Sequence, residues 1–221
     1  MHEDIYHIQS NQVRFADTAL KTLLRKYRDH AFQRPISQRS RQQYTQLLAR
    51  LQQHPRPIIL DSGCGRGRSS LLLAKYYPHH WIVAVDQSAD RLAALPIHTL
   101  DNLIIIQENC IDLWRLMAEH RLEIAMHMLL YPNPWPKKQH EKRRWYAHPI
   151  MPTLLKLSRL TIVRSNWLAY LESMATVAMH YGYHSHLSLI APADQALTHF
   201  EAKYFHHGTR VYQLSIQAAT V

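Results

Sequence analysis

The sequence predicts an α/β fold, a mostly parallel sheet with helices on both faces, preceded by a helical extension. Three observations predict it. Short apolar runs of strand length alternate with stretches of helical periodicity from residue 58 onward. A glycine loop follows the first of those runs directly. No apolar run approaches the ~20 residues of a membrane helix, so the 47% apolar content is available for a packed core. Alternation of this kind gives parallel strands buried on both faces.

Each element has its own reason. Residues 1–15 are polar and read as loose. Ala19, Leu20, Leu23, Leu24 and Tyr27 recur at helical spacing and predict a first helix over 17–31, which Gln33-Arg34-Pro35 ends. Ser37 is placed to cap a second helix with Tyr44, Leu47, Leu48 and Leu51 on one face and Arg and Gln opposite. His54-Pro55-Arg56-Pro57 is a hinge, so residues 1–55 form the extension and 56–221 the main domain. Strands are expected over 58–60, 81–85, 103–106, 124–130 and 160–163. Helices are expected over 69–77, 88–95, 111–119, 149–157 and 167–179. Residues 183–190 and 211–216 read as strands able to pair at the end of the sheet. The chain has no internal repeat and no low-complexity tract.

Composition narrows the class of partner. Among 221 residues, 26 Lys and Arg stand against 16 Asp and Glu, a net charge of +10. That excess suits an anionic partner, most simply nucleic acid. The alternative is a basic surface with no specific role. Only two cysteines occur, Cys64 and Cys110, and they make no metal pattern. The first residues lack the basic and apolar regions of a signal peptide. A cytoplasmic protein with reduced thiols, no membrane span and no metal is expected, as a monomer or homodimer.

The first chemical motif is the glycine loop. The chain has five glycines, and three of them are Gly63, Gly65 and Gly67. Glycine permits positive φ and a close approach of a ligand to the backbone. The loop lies at the carboxyl end of the first strand, where open α/β sheets bind ligands. Its spacing is G-x-G-x-G. A dinucleotide fingerprint needs a later third glycine, where Arg68 stands, and a phosphate P-loop needs a Gly-Lys-Ser/Thr that is absent. Asp61 precedes the loop and could sit near the cationic end of an aminoacyl ligand. Asp86, with Gln87 beside it, ends the second strand, where a carboxylate can accept two ribose hydroxyls side by side. Asn109 follows the third strand, where an amide could meet an adenine edge. A nucleoside with a cationic amino-acid tail and no phosphate is S-adenosylmethionine.

The second motif is Tyr131-Pro132-Asn133-Pro134-Trp135-Pro136-Lys137-Lys138, followed by Gln139-His140-Glu141-Lys142-Arg143-Arg144. An apolar run feeds into it, and three prolines stop regular structure. Trp135 could stack on a base or plug the sheet end. Lys137, Lys138, Lys142, Arg143 and Arg144 could hold an RNA backbone or form a solvated face. Thr198-x-x-Glu201 could be a helix capping box or part of a site.

Taken with Ser165-Asn166-Trp167, these motifs resemble the TrmB family of tRNA (guanine-N7)-methyltransferases, in order and spacing from about 58 to 214. The resemblance implies a class I S-adenosylmethionine-dependent methyltransferase with a Rossmann-like sheet and tRNA as partner. It implies that Asp61, Gly63, Gly65, Gly67, Asp86, Gln87 and Asn109 hold the cofactor. It places Asn133 and Asn166 near the target guanine. Thr198 and Glu201 fall where the family contacts methionine or guanine, and the basic segment 137–144 would hold the tRNA backbone. Two departures mark a divergent branch, because the family carries Asp where Asn133 and Asn166 stand. The glycine-containing linker before the fifth strand is also missing. Guanine N7 is a lone pair without a proton, so methylation there needs no general base and rests on positioning and desolvation. The alternatives are a methyltransferase of another substrate and a non-catalytic RNA-binding relative.

Overall fold

A computed structural model describes residues 17–30, 32–192 and 196–218. The expectation for residues 1–15 lies outside them. The described elements, in chain order, are α1 (Asp17–Asp29), α2 (Gln38–Gln53), β1 (Ile58–Ser62), α3 (Arg68–Tyr76), β2 (Trp81–Asp86), α4 (Ala89–Ala93), β3 (Leu103–Gln107), α5 (Cys110–Glu119), β4 (Ile124–Leu130), α6 (Met151–Lys156), β5 (Ser158–Ser165), α7 (Leu168–His180), β6 (Tyr183–Ile190), α8 (His199–His206) and β7 (Val211–Ala218). Two 3-10 turns, Lys138–Arg143 and Trp145–Ala147, separate β4 from α6. The seven strands form one sheet in the order β3-β2-β1-β4-β5-β7-β6. β1 pairs in parallel with β2 and β4, β2 in parallel with β3, and β6 antiparallel with β7.

The chain forms two compact units. One comprises residues 33–130 and 153–161. There β1 and β2 are buried along their whole length, which is why each opens as an apolar run, Ile58–Leu60 and Trp81–Val85, before the buried polar residues Asp61, Ser62 and Asp86 at their carboxyl ends. Ser37 caps α2 by accepting the Ser40 N–H at 3.0 Å, and Tyr44, Leu47 and Leu51 of that helix are buried. Asn102 donates from one amide nitrogen to the carbonyls of Ala74, Tyr77 and His80, tying the α3–β2 turn to the start of β3. β5 begins two residues earlier than expected. Leu157 N–H closes α6 on Leu154, and the Ser158 hydroxyl donates to Leu160 O at 3.0 Å, so helix passes into strand without a glycine linker.

The other unit comprises the described residues of 1–32, 131–152 and 162–221. Its β6–β7 ladder runs in register from Tyr183↔Ala218 to Ile190↔Val211. α1 is fastened by the Tyr181 hydroxyl, which donates to Leu24 O at 3.1 Å, and by Arg28, which donates to His180 O at 2.9 Å. Leu20 and Leu24 of α1 are buried.

Candidate functional site

In the first unit the residues singled out around the glycine loop come together. Gly63 and Cys64 both donate to Val85 O, at 2.7 and 3.0 Å, bending the loop over the end of β2. Gly65 N–H donates to Asp86 Oδ2 at 3.0 Å. Gly67 caps α3 with φ 73°, and a Cβ there would meet Leu95 Cδ1 at 2.2 Å. A Cβ on Gly65, where φ is 59°, would meet nothing within 4 Å, because that face of the loop is open.

The carboxylates beside the loop are treated unequally. Asp86 is buried, and it accepts the Ser88 N–H on Oδ1 at 2.9 Å and the Arg91 guanidinium on Oδ2 at 3.2 Å. With Gly65, that fills three of the roughly four lone-pair positions a carboxylate offers. Two hydroxyls fit only if exposed Arg91 swings away. Gln87 is exposed next to it. Asp61 is 1% exposed, and its Oδ2 accepts the Ser69 and Ser70 hydroxyls at 2.7 and 2.6 Å. Its Oδ1 is buried with no partner among the described residues. Burial pushes the Asp61 carboxyl above the usual range; the two serines oppose the shift, and the Asp86 charge adds to it.

Asn109 is used differently from the sequence reading. Its Oδ1 accepts the Ile111 N–H at 2.8 Å and caps α5, which leaves the amide NH2 and one lone pair of Oδ1. Glu108 was not singled out by the sequence. Its backbone N–H donates to Asp86 O, its Oε1 accepts the Asn109 N–H at 2.7 Å, and its Oε2 is buried without a partner among the described residues. An acid just past a parallel strand was the available signal. Behind the loop, Ser62 Oγ accepts from Trp114 Nε1 at 3.0 Å and lies 2.8 Å from His127 Nε2. Burial pushes the His127 pKa down to about 3, so the ring is neutral near pH 7. Burial also raises the Cys64 and Cys110 thiols, the latter to about 12, so neither is a thiolate nucleophile.

The second unit holds the proline-rich segment. Tyr131 and Trp135 adopt left-handed backbone, with φ 54° and 46°. Asn133 is exposed, and its Oδ1 accepts the Trp135 N–H at 3.1 Å, an Asx turn. The free end of its amide is therefore a donor. The Arg143 guanidinium lies 4.9 Å from the centre of the Trp135 ring, and the His140 ring meets that ring edge-on at 5.4 Å. Lys137, Lys142 and Arg143 are exposed. Lys138 opens the 3-10 turn. Arg144 corrects the sequence reading of a basic cluster facing RNA. It is 2% exposed, donating from Nε and Nη2 to Trp135 O at 3.3 and 3.1 Å and from Nη1 to the Tyr146 hydroxyl at 2.9 Å.

Of the remaining candidates, Asn166 is half-buried between β5 and α7. Thr198 and Glu201 cap α8. Thr198 Oγ1 accepts the Glu201 N–H at 3.0 Å, and the Glu201 carboxylate reaches back to the Leu197 N–H. That carboxylate is 1% exposed and also accepts Arg164 Nη1 at 2.8 Å and the Tyr131 hydroxyl at 3.3 Å. Arg164 Nε donates to Gln213 Oε1 at 2.9 Å. Burial and the Glu201 charge push the Tyr131 phenol above its ordinary pKa.

A protein-family profile described as "Putative methyltransferase" matches residues 55–214. The chain belongs to that family, as a TrmB-like member. Among curated relatives, a tRNA (guanine-N(7)-)-methyltransferase of Acinetobacter baylyi is 27% identical over 73% of this methyltransferase-family chain and 64% of its own length. One from Brevibacillus brevis is 28% identical over 72% of this chain and 79% of its own. One from Mycobacterium avium is 36% identical, over 40% of this chain and 36% of its own. The chain thus spans less than two thirds of the first and last of these. Solved structures share the fold. The 16S rRNA methyltransferase KamB covers 84% of this chain and 96% of its own at a TM-score of 0.56 and 14% identity. A 16S rRNA (adenine(1408)-N(1))-methyltransferase from Catenulisporales acidiphilia covers 79% and 91% at a TM-score of 0.55 and 15% identity. Both likenesses bear on the sheet alone. Among the described residues of this TrmB-like member, no helix is long and apolar enough to cross a membrane, and no three His, Cys, Asp or Glu gather to hold a metal.

Proposed function

We propose that this chain transfers the methyl group of S-adenosylmethionine to N7 of a guanine in tRNA, in the variable loop by family analogy. The observation that carries the reading is the Asp61–Gly67 loop, whose acceptors suit this cofactor. Asp61 Oδ1 and Glu108 Oε2 are buried carboxylate oxygens without donors, and a buried acceptor left bare is costly. An ammonium, two ribose hydroxyls and an adenine amino group are the donors that such oxygens lack. The cofactor supplies an electrophilic methyl group when bound. Asp61 would hold its amino end, Asp86 its ribose once Arg91 moves, and Asn109 and Glu108 its base edge, with the open face of Gly65 letting the ligand lie on the backbone.

The guanine lone pair needs no base, so the rest of the chain orients the acceptor. Trp135 would present a plane for stacking. Lys137, Lys138, Lys142 and Arg143 would neutralise phosphates. Asn133 and Asn166 would stand at the base, where they weaken the recognition that a carboxylate gives to N1–H and N2–H together. Residues 1–55 would act as a helical extension to a methyltransferase domain over 56–221, a division supported by the start of the family match at residue 55. A cytoplasmic location goes with a tRNA substrate.

The test is incubation with labelled cofactor and bulk tRNA lacking its N7 mark, followed by nucleoside analysis. The expected product is N7-methylguanosine. A different methylated nucleoside would move the substrate. Absence of measurable cofactor affinity would favour a non-catalytic RNA-binding relative, the reading that Asn133 and Asn166 keep open.

A further inference from the structure

We infer that Arg144 is a positioning residue, which sets the shape of the Asn133–Trp135 turn from inside the protein. The inference rests on the reading of this segment as the methyl-acceptor side. It begins with two backbone outliers. Tyr131 and Trp135 are bulky residues with left-handed φ, and each precedes a proline. A following proline ring pushes its neighbour toward extended backbone, so neither conformation is self-sustaining. Something must hold them. At Tyr131 the holders are the Arg164 carbonyl, which accepts the Tyr131 N–H at 2.8 Å, and Glu201, which accepts its hydroxyl at 3.3 Å.

At Trp135 the N–H is taken by Asn133 within the turn, and the carbonyl is taken by Arg144 twice, at 3.1 and 3.3 Å. The third guanidinium nitrogen is fixed by the Tyr146 hydroxyl at 2.9 Å. Tyr146 is 1% exposed and packs edge-on against Tyr170 at 5.0 Å, and the Tyr170 hydroxyl accepts the Trp145 N–H at 3.1 Å. Arg144 is thus anchored at one end by buried Tyr146, itself packed on Tyr170, and reaches with its other two nitrogens to one carbonyl. Among the described residues it has no carboxylate at ion-pair distance. A buried cation without a counter-charge is expensive, and its one evident return here is the forked grip on a strained turn. Arg143, its neighbour, does the opposite job and lies exposed over the Trp135 ring. The two arginines divide the labour, with Arg143 facing the ligand and Arg144 holding what the ligand meets.

The experiment compares Arg144→Met, Arg144→Lys and Arg143→Met in the full chain. Three readouts are taken: tRNA affinity with its salt dependence, single-turnover methyl transfer at saturating tRNA and cofactor, and amide exchange at Trp135. For Arg144→Met, transfer should fall about 100-fold, the scale of an acceptor displaced by about 1 Å, with tRNA affinity within about twofold. Arg144→Lys, which keeps one donor but not the fork, should recover about a tenth of the rate and keep the fold if Met does not. The Trp135 amide should exchange at least about tenfold faster in Arg144→Met and be unchanged in Arg143→Met. Arg143→Met should instead weaken tRNA binding and lower the salt slope. Loss of tRNA affinity with transfer intact in the Arg144 variants would make Arg144 a phosphate contact and overturn the inference, as would unchanged exchange at Trp135. If the wild type methylates no tRNA, the proposed function fails, and amide exchange still decides whether Arg144 holds the turn.

Discussion

The loop at the end of β1 and the segment after β4 are both polar, and they treat their polar atoms in opposite ways. Around Gly63–Gly67, buried carboxylate oxygens are left bare. Asp61 Oδ1 and Glu108 Oε2 have no donor among the described residues. In the unit that holds the Tyr131–Arg144 segment the buried charges have several partners each, Glu201 in Arg164, Tyr131 and Leu197, and Arg144 in Trp135 and Tyr146. The first region keeps two acceptors that the described residues do not use. The second has its shape before any ligand arrives. The proposed binding loop is read from its unused acceptors, and the proposed positioning segment from how heavily it is tied down.

The tied-down region should break hardest. Arg164→Met leaves Glu201, 1% exposed, as a buried carboxylate without its cation. We expect a loss of about 3–5 kcal/mol in unfolding free energy by urea denaturation. Pairing Arg164→Met with Glu201→Gln should return much of it, because the uncompensated charge is gone. A double mutant no better than the single would mean that the ion pair is not what Arg164 supplies.

In the first region the trade runs the other way. Asp61→Asn removes a charge that burial disfavours, so the variant should bind S-adenosylmethionine about 100-fold more weakly by calorimetry while melting higher at neutral pH. The sign follows from the raised folded-state pKa. The wild-type carboxyl is most comfortable protonated, and its contribution to stability is lost as pH rises through that pKa. The melting difference should therefore shrink toward zero below about pH 4, where the acid is neutral in both states. A variant that binds cofactor normally would remove Asp61 from the site.

Much of this contrast was legible in the sequence, and its limits have physical causes. Buried parallel strands announce themselves as apolar runs, so β4 falls on the expected residues; β6, antiparallel to β7 and without a fully buried residue, falls on them too, and the other strands end within two residues of expectation. The glycine loop was legible because G-x-G-x-G is scarce in a chain of five glycines. Arg144 was not. A run of Lys and Arg looks solvated, and nothing local says that one guanidinium turns inward toward a carbonyl nine residues back. Glu108 was hidden for a similar reason, because its value lies in an oxygen that folding strips of water. The Thr198-x-x-Glu201 spacing allowed a cap or a site, and the structure builds the cap while giving the same carboxylate to Arg164.

A smaller effect tests the exposed asparagine. With Asn133 Oδ1 accepting the Trp135 N–H, the amide NH2 is free to donate and only one lone pair of Oδ1 is left to accept. Asn133→Asp keeps one oxygen for the turn and offers the second to guanine N1–H and N2–H. Single-turnover N7 methylation of tRNA should rise about tenfold, the worth of one charge-assisted hydrogen bond. Asn166→Asp should act in the same direction. Equal or lower rates in both would mean that the amides are not substitutes for acids and that this member reads a different base.

The smallest effects belong to the exposed cations, and they decide what the +10 charge is for. Lys137→Ala and Lys142→Ala should each weaken tRNA binding only about two- to fivefold at moderate salt, because each removes one screened phosphate contact. The informative quantity is the slope of log affinity against log salt, which should fall by about 0.7–0.9 per lysine if each meets a phosphate. Arg144→Lys should leave that slope unchanged, although it alters a cation in the same short run. If the lysines leave the slope alone and Arg144→Lys lowers it, the exposed and buried members of the cluster have been assigned the wrong way round. If no substitution moves it, the basic segment is a solvated face, and the RNA backbone is held elsewhere on the chain.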